Sequence, residues 1–249
     1  MDRRWLSTGR AGPVVRSDPA GQAGFMPPET PPDCRQLIRR QHGVITRRQA
    51  LATGLPARTV ETWIQRGCWT RLDRGIYATG SGPPSRKALL WAALLWAGSG
   101  AVLSHETAAE LWGLTDSPGL VIHVSVPPRR NPARGGAMAG VVVHRSAHCG
   151  RAGPRGPGPP RTGIDDTVID LTQTSATAGE AFTWLGRAIG LRVTTVGRLR
   201  RAAAGRTRLH WRAEIGWSLD ALVPAARAGA APPPVEGTRA MGCRPVRAM

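Results

Sequence analysis

The sequence predicts an α+β fold: an N-terminal winged helix-turn-helix, then a mixed domain of helices around a small sheet, between ends that lack fixed structure. Three observations predict it. Between Cys34 and Pro84, three short helical patterns precede two β-rich runs around a glycine turn. From there to about Val223, helical apolar periods surround two valine-rich runs. Residues 1–33 and 224–249 are rich in Gly, Pro, Ala and short polar residues, with no sustained period. The expected divisions are therefore a leader at 1–33, the winged helix at 34–84, the mixed domain at 85–223 and a tail at 224–249.

From Arg35, Leu37 and Ile38 recur against Arg35, Arg39 and Arg40, and Gly43 closes this first helix as a C-terminal cap would. Thr46-Arg47-Arg48-Gln49 matches the T-x-x-Q capping box, in which the Thr hydroxyl and the Gln side chain satisfy backbone donors at a helix start. The second helix starts there and stops at Gly54. Pro56 suits the first turn of a third helix, where its missing N–H costs nothing. Val60, Trp63 and Ile64 then form an inward stripe at i, i+3, i+4, which leaves Arg58, Thr59, Thr62 and Arg66 outward with Glu61 and Gln65. Trp69-Thr70-Arg71-Leu72 and Ile76-Tyr77-Ala78-Thr79 flank Asp73-Arg74-Gly75 as a hairpin.

Helices followed by a hairpin in this order make the winged-helix arrangement, whose third helix enters the major groove while the hairpin lies along the backbone. The charge agrees with that use. The chain carries a net +18, and Lys87 is its single lysine. Residues 1–33 hold four Arg against four acids, whereas Cys34 to Pro84 hold nine Arg against two acids, net +7. A polyanion, duplex DNA, is the partner this implies. An arginine fork pairs with phosphate or with guanine O6 and N7, and threonine hydroxyls donate to phosphates. The candidate contacts are Thr46, Arg47 and Arg48 at the second helix, Arg58, Thr59, Thr62 and Arg66 on the third, and Arg71 and Arg74 on the wing. The competing reading is an ordinary solvated basic face.

Past Pro84 the apolar run Ala88 to Ala97 ends at Gly98-Ser99-Gly100, short of the roughly 20 residues that span a bilayer, and reads as a buried helix. Ser104 suits the N-cap of a helix from His105 to Trp112 that Gly113 ends. Val121 to Val126 and Gly140 to Arg145 read as strands, joined by the basic loop Pro127 to Gly136. Residues 151–163 form a Gly/Pro linker or long loop, and helical patterns return near Thr167–Leu171, Gly179–Ile189, Thr195–Ala203 and His210–Leu222.

Cys34, Cys68, Cys149 and Cys243 include no C-x-x-C pair, which favours a reduced, cytosolic protein. His105, His123, His144 and His148 with Cys149 invite a metal reading, but without H-x-x-x-H or C-x-x-C spacing they are expected to be hydrogen-bonded structural residues. Ser104-His105-Glu106 reads as a cap plus first-turn acid rather than a catalytic row. Asp165, Asp166 and Asp170 suit a helix N-terminus better than a cation loop. Trp91, Trp96 and Trp112 read as core, and Arg129, Arg130 and Arg134 as phosphate contacts or solubility charges. No metal, cofactor or enzymatic activity is expected, since no metal-holding carboxylate set or nucleophile with a positioned base is found.

The segments QHGVITRRQALATGLPARTVETWIQRGCWTRLDRGIYAT, AVLSHETAAELWGL, VIHVSVP and GVVVHRS, in this order, resemble the AbiEi-type antitoxins of actinobacteria over about residues 35–150, and more weakly to about 222. The specific elements are the helix-turn-helix, the W-x-R-L-x-x-G-x-Y hairpin (Trp69, Arg71, Leu72, Gly75, Tyr77) and the L-W-G-L turn (Leu111 to Leu114). The resemblance implies a transcriptional repressor or antitoxin whose winged helix binds operator DNA and which opposes a nucleotidyltransferase-like toxin of a type IV pair, with or without touching it. Longer relatives add a C-terminal domain similar to the very-short-patch repair endonucleases. The (D/E)-x-K triplet of that class is missing, because Lys87 follows Ser85 at the required spacing. The tail after Val223 is what truncation or frameshift ahead of such a domain would leave, and native disorder explains it as well. Two other functions stay open: the remnant of an endonuclease-fused DNA-processing protein, and an antitoxin acting by protein contact.

Overall fold

The computed structural model describes residues 27, 29–80, 82–149 and 158–228. The fold is α+β, and the chain passes from one compact unit to a second between Ala88 and Leu89. The first contains α1(Pro32–Arg40), β1(Val44–Thr46), α2(Arg47–Ala52), α3(Ala57–Gln65), β2(Trp69–Asp73) and β3(Ile76–Thr79). The capping box forms as the sequence requires: the Thr46 hydroxyl accepts from Gln49 N, and the Gln49 carboxamide accepts from Thr46 N. Pro56 sits at the N-cap of α3, one position earlier than expected, where its carbonyl accepts from Thr59 N and Val60 N.

The hairpin β2–β3 gains a third strand that the sequence pattern did not reveal. The sheet order is β1-β3-β2, all antiparallel, with Ile45 opposite Tyr77. Three residues are too short to display a period, so β1 is set by its surroundings. His42 (φ +52°) and Gly43 (φ +85°) turn the chain out of α1, and Thr79 N donates to Gly43 O at 2.7 Å. The core of this unit is Cys34, Ile38, Ile45, Ala50, Leu55, Val60, Trp63, Trp69 and Tyr77. Trp69 is its centre, edge-on to Trp63 at 5.1 Å and tilted against Tyr77 at 5.9 Å. The Trp and Tyr of the hairpin signature are thus packing residues that weld the wing to α3.

The second unit takes α4(Arg86–Ala97) from the boundary onward, then β4(Val102–Leu103), α5(His105–Leu111), β5(Ile122–Val126), a 3₁₀ turn at Pro132–Gly135, β6(Val141–Arg145), α6(Ile164–Thr174), α7(Ala178–Gly190), α8(Val196–Ala204) and α9(Arg212–Ala228). The sheet order is β4-β5-β6, with β4 antiparallel and β6 parallel to β5. The basic connection is therefore a crossover rather than a hairpin loop, as a parallel pair demands. Side-chain alternation sends Ile122, Val124 and Val126 into a core with Leu90, Ala93, Leu94 and Ala97 of α4. The opposite face carries His123, Ser125 and His144, because Ser125 pairs with His144 in the parallel register.

A helix-covered sheet accounts for only half of this unit. Helices α6 to α9 build their own core with Ala109 of α5 and Leu114, around Val168, Ile169, Leu185, Leu199, Ile215 and Leu219. Helix α9 runs past Val223 to Ala228. The remainder of the expected tail, the leader up to residue 26 and residues 151–157 of the expected linker lie outside the described residues. Trp91 and Trp96 pack against the sheet core and Trp112 against the helical one. Trp112 Nε1 donates to Thr162 O at 3.0 Å, with the Arg161 guanidinium 4.5 Å over its ring. Among the described residues no helix is long and apolar enough to cross a membrane.

Ser104 departs from its expected role. It occupies the N-cap position of α5 but makes no side-chain cap bond; its Oγ lies 3.0 Å from His105 Nδ1 instead. The reason is tertiary. Ser104 N donates to His123 O and His123 N donates to the Thr107 hydroxyl, so the start of α5 is docked on β5 with His105 held at φ +50°.

Candidate nucleic-acid interface

In α3, Val60 and Trp63 are buried and Ile64 half-buried, which turns Arg58, Glu61, Gln65 and Arg66 outward. Thr59 and Thr62 are half-buried, and the Thr62 hydroxyl donates to Arg58 O at 2.8 Å within its own helix. The Thr46 hydroxyl is likewise engaged in the α2 cap. On the wing, Arg71 is exposed on β2, beside the register shift between Arg71 and Asp73, and Arg74 is exposed in the turn. Asp73 accepts from Arg74 N at 2.5 Å, and Gly75 takes φ +70°, a conformation that favours glycine.

One bond couples the wing to the helix-turn-helix: Arg47 N donates to Gly75 O at 2.8 Å. The Arg47 side chain pairs with Glu61 of α3 at 3.1 Å. Arg48, Arg58, Arg66, Arg71 and Arg74 are all exposed, and their guanidinium groups have neither hydrogen bond nor ion pair among the described residues. Five guanidiniums with unspent donors, on α2, α3 and the wing of one small unit, are suited to accepting phosphate or base-edge oxygens. The buried Cys34 thiol, whose pKa burial raises, is a packing group and not a reactive one.

The loop arginines differ among themselves. Arg130 Nε donates to Ala97 O at 2.5 Å and is thereby structural, while Arg129 is exposed. The three aspartates hold arginines. Asp165 accepts from Arg198 at 2.9 Å and from the Thr194 hydroxyl; Arg206 bridges Asp166 at 3.0 Å and Asp170 at 2.8 Å. Asp165 and Asp166 do lie in the first turn of α6, but Asp170 is buried mid-helix, where desolvation raises its pKa to about 6 against the pull of Arg206.

Of the histidines weighed from sequence, the structure brings three together. Nitrogen atoms of His105, His123 and His144 lie within 4.8 Å of one another. His123 Nδ1 is 2.9 Å from His144 Nε2, His105 stacks on His144 at 3.7 Å between ring centres, and His123 Nε2 is 3.1 Å from Glu106. Burial, then the neighbouring imidazoles and Arg206, lowers the His105 pKa to about 3. Burial and His123 lower that of His144 as well. His148 and Cys149 are not members of this group; the Cys149 thiol donates to Ser146 O. Sequence spacing could not find the trio, since its members meet only through the β5–β6 register and the docking of α5.

The three helices and three-stranded wing of the first unit define it as a winged helix-turn-helix. Residues 34–80, which cover this unit from α1 through β3, match the family described as transcriptional regulator, AbiEi antitoxin. The match is confined to that unit. No curated protein matches the chain.

Proposed function

We propose that this protein is a DNA-binding transcriptional repressor or antitoxin that grips an operator through its first unit. Arg58 and Arg66, with Thr59, face base edges from α3; Arg48 at the start of α2 and Arg71 and Arg74 on the wing hold phosphates. The observation that carries the reading is the set of five exposed, unpaired arginines on those three elements, in a unit that matches a regulator family. A type IV setting, in which the regulated gene pair includes a nucleotidyltransferase-like toxin, belongs to the same proposal.

The test is a salt titration of wild type, Arg58→Ala and Arg71→Ala on a selected duplex and a scrambled one. Loss of a base contact at Arg58 costs about 1–3 kcal/mol on the selected duplex and much less on the scrambled one. Loss of a phosphate contact at Arg71 weakens both alike and makes the salt slope shallower by about 1. Equal losses on both duplexes for Arg58→Ala demote α3 to a backbone contact, and no loss for either variant removes the proposal.

A further inference from the structure

The histidine trio of the second unit has the features of a built ligand site. Strand alternation and the parallel register put His123 and His144 on one face of the sheet, away from the apolar core beneath. The third imidazole, His105, is delivered by a residue held in the left-handed region, a conformation that costs energy in a non-glycine residue and is maintained here by the hydrogen bonds of Ser104 and Thr107 to β5. Two of the three outer ring nitrogens have a neighbour: Glu106 Oε2 lies 3.1 Å from His123 Nε2, at ion-pair distance but without a hydrogen bond, and the Ser104 hydroxyl lies 3.0 Å from His105 Nδ1.

We propose that His105, His123 and His144 bind a divalent transition-metal ion of the zinc class, one ring nitrogen each, with Glu106 and Ser104 orienting the imidazoles from outside. A carboxylate on the distal N–H of a histidine fixes the tautomer in which the other nitrogen presents its lone pair. In the Nε2–H tautomer of His123, which the 3.1 Å approach of the Glu106 carboxylate favours, its Nδ1 lone pair faces His144 Nε2; with Nδ1–H of His105 directed to Ser104, its Nε2 is free. Without an ion, a single proton between His123 and His144 satisfies one of these lone pairs, and His105 Nε2 makes no hydrogen bond among the described residues. One cation satisfies all three.

Chemistry and spacing agree. Imidazoles without thiolate or carboxylate ligands suit zinc and its neighbours rather than calcium or magnesium. Zn–N bonds of about 2.0–2.1 Å at tetrahedral angles place two nitrogens about 3.3 Å apart, so the 2.9 Å His123–His144 pair must open by a few tenths of an ångström, the trio's spread of up to 4.8 Å must close toward that value, and the His105 ring must swing out of its stack on His144. The lowered His105 and His144 pKa values keep these rings neutral, the form that binds metal, at neutral pH. The nearby positive charge of Arg206 is offset by Asp166 and Asp170. His105 and His144 also line a cavity of about 650 Å³ with Ser125, Arg145, Asp170 and Arg206, through which a solvent ligand can complete the shell. The ion would join α5 to β5 and β6.

The experiment uses the full chain, stripped of metal by a chelator and then titrated with Co²⁺ and Zn²⁺. Wild type is expected to take up one equivalent, to show visible ligand-field bands with Co²⁺ that Zn²⁺ abolishes, and to gain thermal stability that chelator reverses. His144→Gln should bind at least tenfold more weakly, Glu106→Gln about 10–100-fold more weakly, and His210→Gln like wild type, each with an unchanged circular dichroism spectrum. If His144→Gln fails to fold, Glu106→Gln carries the test. Wild type that takes up no stoichiometric metal overturns the proposal, as does Glu106→Gln binding as tightly as wild type or His210→Gln losing the ion.

Discussion

The two units use arginine in different proportions of paired and unpaired side chains. In the first, the guanidiniums of Arg48, Arg58, Arg66, Arg71 and Arg74 stand exposed without partners among the described residues, and Arg47 alone of the proposed contacts is paired to an acid. In the second, Arg187 meets Asp116, Arg198 meets Asp165, Arg200 meets Asp220, and Arg206 meets both Asp166 and Asp170, while Arg129, Arg145, Arg192, Arg201 and Arg208 are exposed without an ion pair among the described residues. A net charge of +18 therefore says little about where a polyanion binds until the acids are counted out. Charge that is already answered inside the fold contributes to stability, and charge left unanswered at the surface is available to a ligand.

The strongest way to break this contrast is at Arg206. Arg206→Met leaves the buried carboxylates of Asp166 and Asp170 without their cation, and the expected loss in denaturant unfolding is about 3–5 kcal/mol. A loss under 1 kcal/mol means the triad is not the internal charge site it looks to be. Trp69→Ala should cost the first unit a similar amount, about 3–5 kcal/mol, because the ring is fully buried between Trp63 and Tyr77.

The next effect depends on pH. The Asp170 pKa is raised from an ordinary 3.8 to about 6, so the folded state takes up the proton first. Its contribution to stability is present in full below about pH 4 and is lost as pH rises through about 6. Asp170→Asn removes that loss, and between about pH 4 and 7 the variant should gain on wild type by about 1–3 kcal/mol. A stability difference that stays flat across this window contradicts the burial argument.

Smaller changes sharpen the comparison at the surface. Arg198→Ala is expected to leave duplex affinity unchanged, whereas Arg58→Ala lowers it without changing the unfolding midpoint; an exchange of these two outcomes would reverse the roles of the units. Arg47→Ala breaks an ion pair whose partners are 39% and 59% exposed, so its stability cost should not exceed about 0.5 kcal/mol.

Much of the first unit was legible because its signals are local. The capping box at Thr46, the stripe of Val60 and Trp63, and the turn at Asp73-Arg74-Gly75 each specify backbone geometry within a few residues. What escaped was β1, whose strand character comes from pairing with β3. Arg58 and Arg66 could be named from the helical period and Arg71 and Arg74 from the hairpin, but the engagement of the Thr46 and Thr62 hydroxyls required the bonds themselves.

In the second unit the sequence by itself determined the helices, the two valine-rich strands and the packing of Trp91, Trp96 and Trp112 against the cores, since these follow from period and apolar content. Tertiary structure decided the rest. The parallel pairing of β5 and β6, not either strand alone, puts His144 beside Ser125 and near His123. The docking of α5 adds His105 and turns Ser104 from a cap into a partner of its ring. Side-chain alternation tells which residues share a face of one strand, but a slip of one residue between strands exchanges the faces. Convergence of distant residues is therefore a property of register and packing, which no single stretch of sequence contains.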